Sequence, residues 1–326
     1  MTNHTTPILF DAVIVGGGAA GLSAATALGR SRRSAVVIDA GEPRNAPASG
    51  VHNFLTRDGT PPAELMQLGR AEVEGYGGTI IRGTAISVER TDAGFAVTTD
   101  DGDVIAGRRL IVTTGLVDEL PNIPGLRERW GRNVLHCPYC HGWEVRDHAI
   151  GILATGPAAM HQAMMFRQLS DRVTVFLHQA PEPTDDELDQ LAALGIDLVR
   201  GRVASVEASG TTLSSVTLED GSVHPIEELV VAPIFTARSE LLESLGAEVT
   251  THPMGMGSFI EADEFGATSV PGVWAAGNVT DLMGQVVTSA AQGLRAGAAV
   301  NGDLILQEAR DAVTAYRATR AEALVE

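Results

Sequence analysis

Short apolar runs alternate with glycine-rich turns and small-residue helical stretches along this chain. Ile8–Val15 is an apolar run broken only by Asp11. It passes into Gly16-Gly17-Gly18-Ala19-Ala20-Gly21, then Leu22–Arg30, rich in Ala and Leu, and then a second run, Ala35–Ile38, that ends at Asp39. Strand, glycine turn, helix, strand and acid in that order predict a βαβ unit built to hold a dinucleotide. Gly16 suits the tight turn, Gly18 lets the backbone approach a pyrophosphate, and Gly21 lets the helix pack on the sheet. The helix N-terminus offers N–H groups and positive dipole to the diphosphate. Asp39 is placed to accept from a ribose hydroxyl.

Gly78–Val112 alternates apolar and polar positions, with turns at Asp92-Ala93-Gly94 and Asp100–Asp103, and predicts a β-meander. Arg109–Val112 then runs into Thr113-Thr114-Gly115. A second βαβ-like stretch begins at His148: strand Ala149–Ala154, turn Thr155-Gly156-Pro157, helix Ala158–Leu169, strand Val173–Leu177. Asp185–Leu194 predicts a helix, Val203–Val230 another meander, and Gly272–Ala276 a short strand. Gln285–Leu306 predicts a small-residue helix continuing towards Ala323. The two halves read as an imperfect duplication of a nucleotide-binding unit. The expected class is α/β with two Rossmann-like dinucleotide-binding domains, a discontinuous one over 1–117 and 249–326 and an inserted one over 118–248.

Composition narrows the function. At 326 residues the chain exceeds the span of one core, so two domains are the default. All 23 Lys+Arg residues are arginine, and 41 acids leave a net charge of −18. That argues against nucleic-acid or anionic-membrane partners, and the absence of lysine removes Schiff-base and P-loop lysine mechanisms. Met1–Thr6 has no basic region and Ile8–Val15 is too short and wrongly flanked for a signal or a membrane span, so a cytoplasmic protein is expected. The two cysteines, Cys137 and Cys140, lie too close together to staple a scaffold and point to redox or metal chemistry.

The fingerprint with Asp39, the Leu110–Gly115 stretch, and Gly272-Val-Trp-Ala-Ala-Gly-Asn-Val-Thr-Asp281 together resemble the flavoprotein disulfide reductases. Cys137-Pro-Tyr-Cys140 makes the chain similar to the low-molecular-weight thioredoxin reductase branch. The resemblance implies FAD in the first domain, a nicotinamide-type second domain carrying the CxxC, and a homodimer. It extends the expected FAD set from Gly16, Gly18 and Gly21 to Ala19, Ala20, Asp39, Ala40, Gly41, Arg44, Asn45, Asn53, Ala85, Thr114, Gly115, Gly277, Asn278, Gln285 and Val286. Asn278 stands where that family carries an acid for the ribityl chain, Asn53 matches a position near the isoalloxazine, and Gln285-Val286 begins a helix aimed at the pyrimidine edge.

Cys137-Pro-Tyr-Cys140-His141 admits three chemistries. CxxCH is the haem-attachment string, which goes with export, and no export segment is visible. Zinc would take His136, Cys137, Cys140 and His141, a set without the separated ligand pairs of closed sites, so no metal is expected. The third is a redox dithiol. By resemblance Cys140 lies against the flavin and Cys137 exchanges with substrate. His141 fills the slot of an acid that donates a proton, and an imidazole can both take and return one. A structural histidine is the alternative for His141, and the case for His136 is weaker.

The second fingerprint departs from the family. Ala154-Thr155-Gly156-Pro157-Ala158-Ala159 lacks the first glycine. After the next strand comes His178–Pro183 with Glu182, followed by Asp185, Asp186 and Glu187, and no arginine for a 2′-phosphate. Carboxylates repel phosphate, so this stretch argues against efficient NADPH binding. The branch that matches is the dithiol oxidases of the gliotoxin and holomycin type, with a CPYCHG motif at Cys137–Gly142. It implies that a small-molecule or peptide dithiol attacks the Cys137–Cys140 disulfide, that electrons pass through Cys140 to FAD, and that O2 reoxidises the flavin to give peroxide. A thioredoxin reductase-like enzyme acting on a thioredoxin-like protein with NADPH or another donor stays open, the ferredoxin-linked form ranking lower on an acidic surface. So does a non-catalytic flavoprotein that sequesters or senses a reactive small molecule.

Overall fold

The computed structural model describes residues 8–156 and 158–322. Met1–Thr6, Pro157 of the second glycine turn and Ala323 lie outside them. The chain divides into two compact units. One comprises the described residues up to Arg44, Ala63–Val117 and those from Thr236 onward; the other comprises Asn45–Pro62 and Asp118–Phe235.

In the first unit the apolar run forms β1 (Leu9–Val15), whose Ala12, Val13 and Ile14 are wholly buried. Continuous burial is what a parallel strand covered on both faces requires. There follow α1 (Ala19–Arg30), β2 (Ala35–Asp39), α2 (Pro62–Gly75), β3 (Thr79–Arg82), β4 (Ala85–Thr91), β5 (Gly94–Thr99) and β6 (Val104–Val112). The sheet order is β3-β2-β1-β6-β5-β4. β3 pairs parallel with β2, so the meander expected over Gly78–Val112 begins only at β4. The chain leaves this unit within β7 (Leu116–Glu119).

The second unit runs β8 (Val134–Leu135), α3 (Pro138–His141), β9 (Ile150–Leu153), α4 (Ala159–Arg167), β10 (Val173–Phe176), α5 (Asp185–Leu194) and β11 (Asp197–Val199). Next come β12 (Val203–Ser209), β13 (Thr212–Leu218), β14 (Val223–Pro225) and β15 (Glu228–Val231). A parallel sheet has the order β11-β10-β9-β15-β8, with β12-β13-β14 as a separate antiparallel sheet. The second meander expected over Val203–Val230 therefore ends at β14. All four residues of β15 are buried, the pattern of a central parallel strand rather than a meander edge.

The chain returns within β16 (Ile234–Ala237), then forms α6 (Glu240–Ser244), β17 (Val249–Thr251), β18 (Gly257–Ile260), β19 (Val273–Ala275) and α7 (Val286–Glu322). The crossing at Phe235–Thr236 precedes residue 249 because Ala237, Leu241, Leu242 and Ala247 belong to the core of the first unit. β19 adds to β6 in parallel, Val273 opposite Leu110. A Cβ on Gly293 or Gly297 would strike the backbone of Ala20 or Ala24, so α7 and α1 touch nearly backbone to backbone. That close approach fixes α7 along α1.

Candidate active site

In the first unit, the glycine turn sits at the C-terminal end of β1, between β2 and β6, the switch point of a doubly wound sheet. Gly16 has a left-handed backbone (φ 108°), and a Cβ there would collide with the carbonyl of Thr113. A Cβ on Gly21 would collide with the carbonyl of Gly16, and one on Gly17 with the Asp39 carboxyl. Gly18 differs: a Cβ there meets nothing within 4 Å. It caps α1 with no side-chain hydrogen bond, so no side chain takes up the N–H groups of the first turn, which begins with Ala19 and Ala20. Three glycines are thus required by the protein's own packing, and the fourth borders open space at a helix N-terminus, the place where a diphosphate is held in a dinucleotide fold.

Asp39 closes β2. Its carboxylate accepts from the Gly41 N–H at 2.9 Å and lies 3.4 Å from Arg70, keeping lone pairs for a ribose hydroxyl. Ala40 and Gly41 follow on the exposed loop, and the Arg82 guanidinium lies beside Gly41. Ala85 opens β4, two residues past Gly83, whose N–H donates to the Asp39 carbonyl at 3.0 Å. The Thr114 hydroxyl donates to the Arg238 carbonyl at 2.6 Å and Gly115 is left-handed (φ 75°). Gly277 rests on Ala20, and its N–H donates to Gln292 at 2.9 Å. The Asn278 amide donates to the carbonyls of Asp281 and Gly284, both at 2.8 Å, and its oxygen lies 3.4 Å from Arg44. Asn278 therefore presents an acceptor, with its donors already used on the 281–284 loop. The Gln285 carbonyl accepts from Ser289 at 2.8 Å at the head of α7, where Val286 is the first helical residue. Two expected FAD residues, Asn45 and Asn53, group instead with the second unit.

In the second unit β8 leads into His136, whose ring lies 3.1 Å from the Val231 carbonyl and edge-on to Phe235. Gln162 of α4 donates to the His136 carbonyl at 2.9 Å. Cys137 is then the N-cap of α3, with extended backbone, and Pro138 takes the first helical position, where its missing N–H costs nothing. The N–H groups of Cys140 and His141 both donate to the Cys137 carbonyl at 3.2 Å, which folds the two sulfurs to 2.7 Å from each other. Both cysteines are half-buried; Tyr139 and Trp143 are exposed. His141 is half-buried, its Nε2 buried without a hydrogen-bond partner. Burial holds its pKa below the ordinary histidine value, and His52 pushes the same way while Glu144 opposes both.

Asn53 belongs to this site. Its backbone is left-handed (φ 61°), and its side-chain amide donates to the Tyr139 carbonyl, between the two cysteines, at 2.7 Å. Three residues outside the sequence-derived set join it: His52, 3.3 Å from both Asp58 and Glu144, and those two acids themselves. His52 neighbours Asn53 in sequence and Glu144 lies one turn past His141. That proximity was the available signal.

The second crevice differs from the sequence reading. Arg200, one residue past β11, pairs with Glu182 at 3.1 Å, and Arg202 pairs with Glu219 at 3.2 Å and acts on His178. Arginines do reach this edge, from the neighbouring strand, each already matched by a carboxylate. The acids at Asp185–Glu187 form the first turn of α5, where Thr184 and Glu187 make a reciprocal capping box. The Thr155 hydroxyl donates to the Ala232 carbonyl at 3.2 Å, and no side chain caps α4. Among the described residues no cluster of three or more metal-ligating side chains occurs, and no helix is long and apolar enough to cross a membrane.

Known proteins share this arrangement. Thioredoxin reductase sirT of Leptosphaeria maculans is 33% identical over 314 residues, covering 91% of this chain and 95% of the relative. Thioredoxin reductase tcpT of Claviceps purpurea is 33% identical over 318 residues, covering 92% and 96%. The crystal structure of HlmI superposes with a TM-score of 0.88 at 43% identity, covering 95% of this chain and 97% of that one. The oxidoreductase from Agrobacterium tumefaciens gives 0.86 at 37%, covering 92% and 99%. A family model described as pyridine nucleotide-disulphide oxidoreductase matches residues 10–293. With a nucleotide cradle in one unit and a CxxC dithiol in the other, the chain belongs to the pyridine nucleotide-disulphide oxidoreductase family and is an FAD-dependent disulfide oxidoreductase.

Proposed function

We propose that this protein oxidises a small-molecule or peptide dithiol to a disulfide through Cys137 and Cys140, with O2 as terminal acceptor. The observation that carries the reading is the pair of sulfurs 2.7 Å apart on the turn that buries the unpartnered Nε2 of His141. Cys137, the N-cap of α3, is the exchanging sulfur, and Cys140, within the helix, is the leaving one that passes electrons on to the flavin. His141 takes the substrate thiol proton and returns it. Bound FAD supplies a two-electron sink for the dithiol. The first unit holds it: the amides after Gly18 face the diphosphate, Asp39 a ribose, Asn278 the ribityl chain and the start of α7 the pyrimidine edge. In this reading the protein is a cytoplasmic homodimer.

The paired state of Arg200 and Arg202, with the missing first glycine at Ala154, supports a second unit that does not use NADPH efficiently. A second reading, NADPH-driven reduction of a thioredoxin-like protein, is favoured by the name thioredoxin reductase carried by sirT and tcpT. Anaerobic mixing of the oxidised holoenzyme with NADPH separates them. The oxidase reading expects an unchanged visible flavin band, followed by sustained oxygen uptake and peroxide with dithiothreitol in air. Rapid bleaching by NADPH would overturn it, and a single stoichiometric equivalent without turnover would indicate sequestration.

A further inference from the structure

Val51–Thr60 closes on itself and is pinned to the dithiol turn at two points. The Val51 N–H donates to the Thr60 carbonyl and the Gly59 N–H to the Val51 carbonyl, each at 2.8 Å. From this loop Asn53 reaches the Tyr139 carbonyl, and His52 Nε2 faces Glu144 Oε1 at 3.3 Å. The other His52 nitrogen faces Asp58 Oδ2 at 3.3 Å, and Asp58 Oδ1 accepts the Asn53 N–H at 2.8 Å. That N–H and His52 together hold the Asp58 carboxyl below its ordinary pKa. An imidazole with a carboxylate on each nitrogen cannot turn without losing a charged partner. Its ring is mostly buried, at 20% exposure.

Among the described residues, Glu144, three positions past His141, is the acid whose charge favours protonation of His141. An imidazole that takes a proton in a buried site needs a carboxylate held towards it, because burial disfavours the cation. A carboxylate on an exposed turn does not stay in one place unaided. We propose that His52 is a positioning residue: anchored by Asp58, it keeps Glu144 turned towards His141, where the carboxylate stabilises the imidazolium formed as His141 takes the thiol proton. This rests on Cys137, Cys140 and His141 being the reaction centre. In the step concerned the substrate S–H bond breaks and its proton goes to His141. The resulting thiolate bonds to the sulfur of Cys137, the Cys137–Cys140 bond breaks, and its electron pair leaves on Cys140.

The test uses the FAD-loaded enzyme, mixed anaerobically with dithiothreitol from pH 5 to 8, following flavin bleaching in a single turnover. Variants are compared at equal pH so that ionisation of the probe cancels. The groups acting on His141 are Glu144 and His52, and those facing His52 are Asp58 and Glu144. H52A and E144Q should each slow bleaching by about tenfold or more, a part of the roughly 10²–10⁴ that a general base contributes. Both should move the inflection of the rate to lower pH, and the double variant should be no slower than E144Q alone. H52Q, which still donates to Glu144, should recover most of the rate. An upward shift in H52A, as loss of a like charge alone would give, overturns the proposal, as do effects of H52A and E144Q that multiply. If H52A does not fold, D58N should slow bleaching in the same direction; an unchanged D58N overturns the proposal equally. C137S separates the levels: if it bleaches at the wild-type rate, the reaction-centre assignment falls and the proposal with it.

Discussion

Thr113 holds Gly16 in place. Its hydroxyl donates to the Gly16 carbonyl at 2.9 Å, and again to Val15 at 2.9 Å, while its own carbonyl is the atom a Cβ at Gly16 would strike. The end of β6 is thereby tied to the nucleotide turn at the end of β1. Replacing Thr113 by Val keeps the shape and removes the donor, at about 1–3 kcal/mol for a buried polar partner left unmet. T113V should lower the denaturation midpoint of the apoprotein and weaken FAD binding in a fluorescence titration, and T113S should restore both. Equal values for T113V and wild type would show the tie to be idle.

The glycines of the turn should separate folding from binding. Gly21→Ala forces a Cβ into the Gly16 carbonyl, and Gly18→Ala places one in open space bordering the cradle. G21A should be destabilised with or without FAD. G18A apoprotein should melt as wild type does, within the roughly 0.5 kcal/mol usual for surface changes, yet bind FAD at least about tenfold more weakly. If G18A binds FAD normally, the diphosphate does not lie against Gly18.

What could be read from sequence here depended on how local the cause was. The order strand, glycine turn, helix, acid was legible because each residue answers to a neighbour a few positions away, and the α1–α7 contact left its mark in the small residues of the last helix. β3 and β15 fall inside stretches whose alternation predicts meanders but pair in parallel, because pairing partners are chosen by crossover, which a run of four residues cannot encode. Nothing in Thr-Thr-Gly says which hydroxyl turns inward, and it is that of Thr113, beside the expected Thr114, that reaches the nucleotide turn. Arg200 and Arg202 escape a reading of the second crevice because they come from a neighbouring strand, whereas the helix over Asp185–Leu194 is legible, its three leading acids being the first turn that the capping box of Thr184 and Glu187 starts. His52, Asp58 and Glu144 come together across more than eighty residues of chain, and no spacing rule reaches that far.

Glu308 of α7 joins two arginines of the first unit, Arg33 and Arg108, each at 2.6 Å. Those two hydrogen bonds hold its pKa down from 4.5 to about 2. A carboxylate with a lowered folded pKa contributes stability that is present above its unfolded value and lost as pH falls through the folded one. E308Q should therefore melt below wild type at pH 7, and the gap should close between about 4.5 and about 2. Exposure of Glu308 implies screening, so the gap at neutral pH should also shrink in 1 M salt. Thermal melts of the two proteins across pH and salt check both statements.

His141 should also cost stability as pH falls, at higher pH than Glu308, since a base buried without a partner favours folding only when neutral. Its folded pKa lies below the ordinary 6.5, chiefly through burial. Between the two values the unfolded chain binds the extra proton, so the stability that neutral His141 permits is full above about 6.5 and falls as pH drops through the folded value. His141→Leu removes both the titration and the unpartnered Nε2 nitrogen. The wild-type midpoint should thus fall faster than that of H141L as pH is lowered from 7.5 to 5.5, and the difference between the two should favour H141L progressively at acid pH. Because only the difference is read, Glu308 and the other carboxylates cancel. A difference that stays flat across this window would mean that His141 is not desolvated in the folded protein, and the proton-transfer role would lose its physical basis.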